Sequence, residues 1–321
     1  MIAATGVLCC LAAPVVVAQE VPLTPVGTIP GPVQHIRAQG DHLFVSSHTR
    51  FSIWDVSDAA APREVGALEF PEEIWGFRVR GDRAYVGNNF AGVGIVDISD
   101  PTAPAIISSH KTLGQTKIGA VWENRVVAID HMEGLVMVDI TDEAAPTGAG
   151  SFFLDGYARD VVTSGHIAYA TDSPTGLYVF DLSASGEPEP VGVVHAPGAP
   201  RAIEVQREVG EEPSGILVGA GAAQVQIYDA SDPTAPVRLA THETPGRAAR
   251  VAISGDLVFV ADTGVGVTVV DISDPAAPTT VGSVETDMPA RDIAASERHV
   301  FVVVGAAEGQ EGPTEIRVFS R

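Results

Sequence analysis

One stretch of twelve residues, repeated with variation, constrains this chain more than anything else in it. The copies read FSIWDVSDAAAP (51–62), VGIVDISDPTAP (93–104), LVMVDITDEAAP (135–146), LYVFDLSASGEP (177–188), VQIYDASDPTAP (225–236) and VTVVDISDPAAP (267–278). Their aspartates, Asp55, Asp97, Asp139, Asp181, Asp229 and Asp271, are spaced 42, 42, 42, 48 and 42 residues apart, and a proline follows each one seven residues later. A fixed period of about 40 residues that holds several short strands is the mark of a β-propeller. The fold is thereby constrained, whereas the chemistry is not, because propellers carry many unrelated functions.

Residues 74–112 show what one period contains. GFRVR (76–80) runs into the turn Gly81-Asp82, and RAYVG (83–87) returns, which is the alternation and turn chemistry of a hairpin. A polar loop leads to a third strand at 93–98. Ser99, Asp100 and Pro101 break it, since Ser and Asp side chains bond nearby amides and proline cannot join a central ladder. A fourth strand follows at 105–110. Four strands per period make a propeller blade, and no helical periodicity occurs after residue 18.

Seven stretches match the innermost strand, beginning near Gln34, Trp75, Lys117, Arg159, Arg201, Arg250 and Arg291. The seventh is followed by only two more strands. Residues 25–29 (PVGTI) resemble the other fourth strands and have no blade of their own. The expectation is an all-β, seven-bladed propeller of four-stranded blades over 23–320, closed by pairing of the N-terminal strand with the C-terminal blade. Closure would remove the edge strands that invite aggregation.

Residues 2–18 are uncharged, and VVA before Gln19 fits a signal-peptidase site. Residues 1–18 therefore read as a signal peptide, or as an uncleaved anchor at the short limit of a membrane span. Both cysteines lie there, so the exported chain would hold no disulfide and would rely on packing and ring closure. The expected location is periplasmic, cell-surface or secreted. With 41 acidic against 19 basic residues the net charge is −22, which argues against nucleic acid or an anionic membrane as partner. A membrane enters only if the N-terminal segment is retained.

The repeat resembles the LVIVD family of bacterial propeller repeats on the strength of Leu135-Val-Met-Val-Asp139, Val93-Gly-Ile-Val-Asp97 and four further copies in register. The resemblance implies a seven-bladed propeller in an exported or cell-surface protein. It brings no catalytic motif. The fourth copy departs from it at residues 184–186.

The repeated aspartates could form a ladder of calcium sites, but their positions at strand ends favour turn bonding, because calcium ligands converge rather than spread round a ring. No cofactor is expected, with bound calcium or zinc left open. The turns within the first hairpin and after each aspartate lie on one face and are nearly uniform. The loops at 46–50, 88–92, 130–134 and 172–176, with the links between blades, lie on the other face and vary. Variable loops on a rigid frame are where binding is placed.

On that face five innermost strands start with a base: Lys117, Arg159, Arg201, Arg250 and Arg291. They read either as an anion site at the channel mouth or as cross-strand ion pairs, Lys117 opposite Asp130, Arg159 opposite Asp172, Arg250 beside Asp262. Arg201 and Arg291 face Ala220 and Val304 and have no such acid. A polar loop patch of His48, Asn88, Asn89, Asp130, His131 and Asp172 is a second candidate, with Trp75 and Phe90 nearby as a contact patch or core. No HExxH, Gly-x-Ser-x-Gly or phosphate loop is present.

These readings together describe an exported, non-enzymatic propeller that presents its variable face to another protein, a cell-surface component or a small anionic ligand. The alternative is a hydrolase or lyase using Arg201, Arg291, His48, His131 and Asp130 at the channel mouth. Deleting residues 19–31 is expected to destabilise the entire ring. A truncated chain that melts at the temperature of the intact one would refute the N-terminal clasp.

Overall fold

A computed structural model describes residues 21–321 apart from 155, 174, 184–186, 196–199, 208–212 and 307–311. The expected signal segment, the irregular turn at 184–186 and the centres of two Gly/Glu-rich inserts at 208–215 and 306–313 lie outside the described residues.

The 28 strands form seven four-stranded antiparallel sheets. Blades 1 to 6 are consecutive meanders. Their innermost strands are His35–Gln39, Gly76–Arg80, Thr116–Trp122, Tyr157–Ser164, Ala202–Arg207 and Ala248–Ser254. Blade 7 combines Ala290–Ala295, His299–Gly305 and Thr314–Ser320 with the first strand, Thr24–Pro30, on its outer side. Thr24 pairs with Ser320 and Ile29 with Ile316 in an antiparallel register.

The repeated apolar positions account for the core. Each neighbouring pair of blades encloses its own cluster of buried side chains. Phe51, Phe77 and Val86 fill the space between blades 1 and 2, and Ile36, Leu43, Phe301 and Ile316 that between blades 7 and 1. The other five interfaces follow the same rule. Period-2 alternation does this directly, since each sheet packs both faces against neighbours and leaves polar positions for strand ends.

The repeated aspartates are turn residues. The Oδ1 atoms of Asp55, Asp97, Asp139, Asp181, Asp229 and Asp271 each accept the backbone N–H two residues on, at 2.8 to 3.0 Å. In blades 1, 2, 3, 5 and 6 a second aspartate (Asp58, Asp100, Asp142, Asp232, Asp274) repeats the device three residues later. Short Asp side chains satisfy amides that a sharp turn strips of ladder partners. One face of the disc is consequently studded with carboxylates.

The Val-Gly pair of the outer strands also has a physical cause. A Cβ on Gly66 would stand 2.2 Å from the Pro101 carbonyl in the turn of the next blade, and one on Gly192 2.4 Å from the Thr234 carbonyl. Gly27, in the outer strand of blade 7, meets Ala59 O of blade 1 in the same way at 2.2 Å. Only glycine lets the neighbouring turn close this far. Gly66→Ala is expected to cost about 1–3 kcal/mol in urea unfolding, the penalty of forcing a methyl against backbone. Gly148→Ala, whose added methyl would lie 3.5 Å from its nearest neighbour, is expected to be neutral or slightly stabilising.

Candidate functional site

The innermost strands are less regular than the sequence suggests. A bulge falls at 118–120 in blade 3, 158–160 in blade 4, 248–250 in blade 6 and 290–292 in blade 7. One extra residue turns the side chains that follow to the other face of the strand. The register is shifted at two of the three expected cross-strand pairs, while Arg250 stands one residue from Asp262 as expected and turns its side chain to Asp160 and Asp292 instead. Lys117 lies opposite Ile129, with Thr116 opposite Asp130. Ala158 lies opposite Asp172 with Arg159 in the bulge, and Arg250 lies opposite Ala261.

The bulges in blades 4 and 7 aim two buried carboxylates along the channel wall. Asp160 accepts the N–H of Val161 at 3.2 Å and that of Ile203, in the next blade, at 3.4 Å. Asp292 does the same with Ile293 at 2.9 Å and Ile36, in the next blade, at 3.2 Å. Each is a staple between innermost strands. Arg250, from blade 6, bridges them: Nη1 donates to Asp160 Oδ2, and Nε stands 3.6 Å from Asp292 Oδ1. Arg78 Nη2 lies 3.5 Å from Asp160, Arg37 Nη1 3.6 Å from Asp292 and His35 Nδ1 3.5 Å from Asp292. Lys117 Nζ donates to the Arg159 carbonyl at 2.8 Å.

Electrostatics follow from this geometry. Burial by itself pushes the Asp160 carboxyl up, but Arg250, Lys117, Arg78 and Arg37 outweigh it and hold the group down at about 2. Asp292 is held lower still, burial being overcome by His35, Arg37 and Arg250. Burial pulls the Lys117 ammonium down to about 7, with Arg250 adding repulsion, and pulls Arg78 down to about 10, with Arg37 adding repulsion. His35 is likewise lowered by burial, against the pull of Asp292.

Of the five bases expected at one mouth, the channel network takes up Lys117 and Arg250. Arg159 is exposed and Arg291 half-buried, each at a bulge. Arg201 is exposed beside the Ala220 carbonyl that its N–H reaches at 2.7 Å. Among the described residues neither Arg201 nor Arg291 makes a side-chain ion pair. Sequence reasoning missed Arg37, Arg78, Asp160 and Asp292. A signal was there: Arg-Asp occurs at 159–160 and again at 291–292, the same place in two repeats.

The polar loop patch is partly assembled. His48 Nδ1 lies 3.7 Å from Glu73, which accepts from Trp75 Nε1 at 3.2 Å, and Trp75 packs edge-on against His131 with ring centroids 5.2 Å apart. Asn88 is buried and donates to the Glu72 carbonyl. Asn89 sits at φ 43° and bridges to Thr116 of blade 3, its buried Oδ1 having no hydrogen-bond partner. Asp172 belongs to blade 4, fully buried, and neither carboxylate oxygen has a partner among the described residues.

Asp130 is a structural pin. Buried to 1% exposure, it accepts from Gly114 N at 2.9 Å, Thr116 Oγ1 at 3.3 Å, Met132 N at 2.7 Å and Glu133 N at 3.1 Å. It thus ties the link between blades 2 and 3 to the loop at 131–133. Asp262 does the same in blade 6 through Gly246 and Gly264. What the pin presents differs: small residues in blade 6, large apolar ones in blade 3. Leu113 is 72% exposed, Met132 64%, Phe153 67% and Phe90 52%.

These four lie on neighbouring loops and links. Met132 stands against Gly114, next to Leu113, and Phe153 stands against Gly134 at the end of the Met132 loop. Phe90 follows Asn89, which is bridged to blade 3. The other exposed large apolar side chains lie on outer strands: Ile106, Val191, Val193, Val237 and Leu239. Among the described residues no cluster of three His, Cys, Asp or Glu side chains is placed to hold a metal.

A seven-bladed propeller with an ionic channel and an apolar cluster on its loop face defines the class: a binding-type scaffold. Residues 30–69, 74–112, 155–195 and 245–286 match the LVIVD repeat, and the chain belongs to the LVIVD-repeat family. No curated protein matches the sequence. Solved structures of similar fold include a chain of the mitotic checkpoint complex, at 11% identity and TM-score 0.75, covering 100% of this chain and 98% of that one. The Cps50 (Swd1) β-propeller domain of Myceliophteria thermophila aligns at 14% identity and TM-score 0.74, over 94% of this chain and 100% of that one. The computationally designed Ika8 protein aligns at 11% identity and TM-score 0.64, with 94% and 100% covered. At such identities the likeness concerns the fold.

Removing Arg250 would take from Asp160 its closest cation and leave Asp160 and Asp292 with the longer contacts of Arg78 and Arg37. Arg250→Met is expected to destabilise the ring by about 3–5 kcal/mol at pH 7. The folded carboxyls lie below their unfolded values, so their contribution is present above about pH 4 and fades as pH falls through 2. The gap between variant and parent in urea unfolding should therefore narrow over that acid range. A gap that stays constant from pH 7 to pH 2 would contradict the network.

Proposed function

We infer that the chain is an exported, non-enzymatic binding module that engages another protein, secreted or at the cell surface, through its variable loop face. The observation that carries this reading is the exposure of Phe90, Leu113, Met132 and Phe153, all in neighbouring loops and links of blades 2 to 4 on that face. Large apolar side chains grouped on a rigid surface mark interaction sites, whereas scattered ones need no explanation. Each would gain about 1.5–3 kcal/mol on full burial, enough for the few anchors that dominate a protein interface. Asp130 and the Trp75–His131 contact hold these loops in place, so little ordering is required on binding.

Against the enzymatic alternative, built on Arg201, Arg291, His48, His131 and Asp130, we weigh that Asp130 accepts from four protein donors. The assembly named for one structural neighbour, the mitotic checkpoint complex, accords with the use of this fold as a docking frame. Export rests on the uncharged segment 2–18 and the small residues before Gln19.

A photo-crosslinking residue at Leu113, in the chain expressed in its natural host, is expected to trap a discrete partner. The adduct should vanish in the Met132→Glu, Phe153→Glu double variant. The same residue at Val237, exposed on an outer strand, should give none. No adduct from Leu113, or equal adducts from both positions, overturns the reading.

A further inference from the structure

A cavity of about 700 Å³ lies along the channel, apart from the loop face. Ser254, Gly255 and Asp256 of blade 6 and Glu297 of blade 7 stand in its wall. These belong to first-hairpin turns, so the cavity opens on the carboxylate-studded face. Its floor is the ion network: Arg37, Arg78, Arg250 and Asp160 all line it.

The network is short of acceptors. Four cations, Arg37, Arg78, Arg250 and Lys117, face the staple carboxylates Asp160 and Asp292 and, acting on Arg78 and Arg250 from the cavity wall, Glu204. Arg250 contacts both acids, and Arg78 and Arg37 each stand beside one of them at 3.5 and 3.6 Å. Arg78 makes one hydrogen bond among the described residues, to its neighbour's carbonyl at Phe77, at 3.3 Å. Arg37 likewise makes one, to the Ile36 carbonyl at 2.6 Å. A guanidinium carries five donors in a rigid plane, so most donors of these two side chains stay unanswered. Their exposure is only 22% for Arg37 and 17% for Arg78. Neither side chain has a nitrogen that is both buried and without a partner, so the remaining donors of this pair face the open space of the cavity.

We propose that the channel binds a small oxyanion, a carboxylate or phosphate group, on the cavity floor between Arg37 and Arg78. Planar guanidinium forks suit both head groups through paired N–H bonds. Burial lowers Lys117 and Arg78, and neighbouring cations add to it: Arg250 for Lys117 and Arg37 for Arg78. Glu204 on the wall, with Asp256 and Glu297 nearer the mouth, sets the ligand's limits. They repel a polyanion and favour a molecule whose other end is hydroxylated or cationic. Asp256 is itself held by Gln206 Nε2 at 3.0 Å. His35 and Lys117 complete the ring of charged groups round the two aspartates. The site is independent of the loop-face reading, and its loss would leave that reading standing.

The test is calorimetric titration of the full chain with sulfate, standing for phosphate, and with acetate, at constant ionic strength in chloride. Both probes keep their charge between pH 6 and pH 8. At least one is expected to bind saturably across that range. Arg78→Gln should weaken binding about tenfold or more, with Arg78→Lys intermediate because it keeps the charge and loses the fork. Circular dichroism establishes that each variant is folded, and Arg37→Gln gives the same readout if Arg78→Gln is not. Binding of one probe alone assigns the head group. No saturable binding of either probe to the parent chain, or unchanged affinity in the folded variants, overturns the proposal.

Discussion

Seven innermost strands converge on one axis, and any charge they turn inward must be answered by a different blade. An isolated ion there would have lost most of its hydration with nothing to replace it. Asp160 and Asp292 meet that requirement twice over. Each grips the first strand of the following blade through a backbone N–H, and each is approached by arginines from further round the ring. Blades 1, 2, 4, 6 and 7 are joined at the centre by charge, while apolar clusters join neighbours at larger radius. The disc is more than a row of pairwise contacts. Its hub commits distant repeats to one arrangement.

The fold could be read from the sequence because each level of the repeat points the same way. The period sets the blade, Asp-x-Ser and Asp-Pro set the turns, and alternating Val, Ile and Leu set two-sided burial. Even Gly66 and Gly192 were legible as members of a recurring Val-Gly pair, although the carbonyl that makes them necessary belongs to the adjacent repeat.

The channel was legible only in part. Lys117 and Arg250 are prominent at strand starts, but the pairing expected for them assumed an unbroken ladder. A bulge is one residue of excess, invisible in a periodic string, and it changes which side chains share a face. Arg37 and Arg78 sit mid-strand, where alternation gives no hint of a shared cavity. The apolar loop cluster was half visible. Trp75 and Phe90 stood out as aromatic, while Leu113, Met132 and Phe153 looked like any other apolar residues near strand ends. Only the pin at Asp130 reveals that they are held outward.

The paired aspartates of the turns have an effect beyond local geometry. They concentrate negative charge on one side of a flat molecule, while Lys111, Arg159, Arg201, Arg247 and Arg291 lie toward the other. The exposed phenylalanines, Leu113 and Met132 lie on the side away from these turn carboxylates, so the two sides offer different chemistry to a partner.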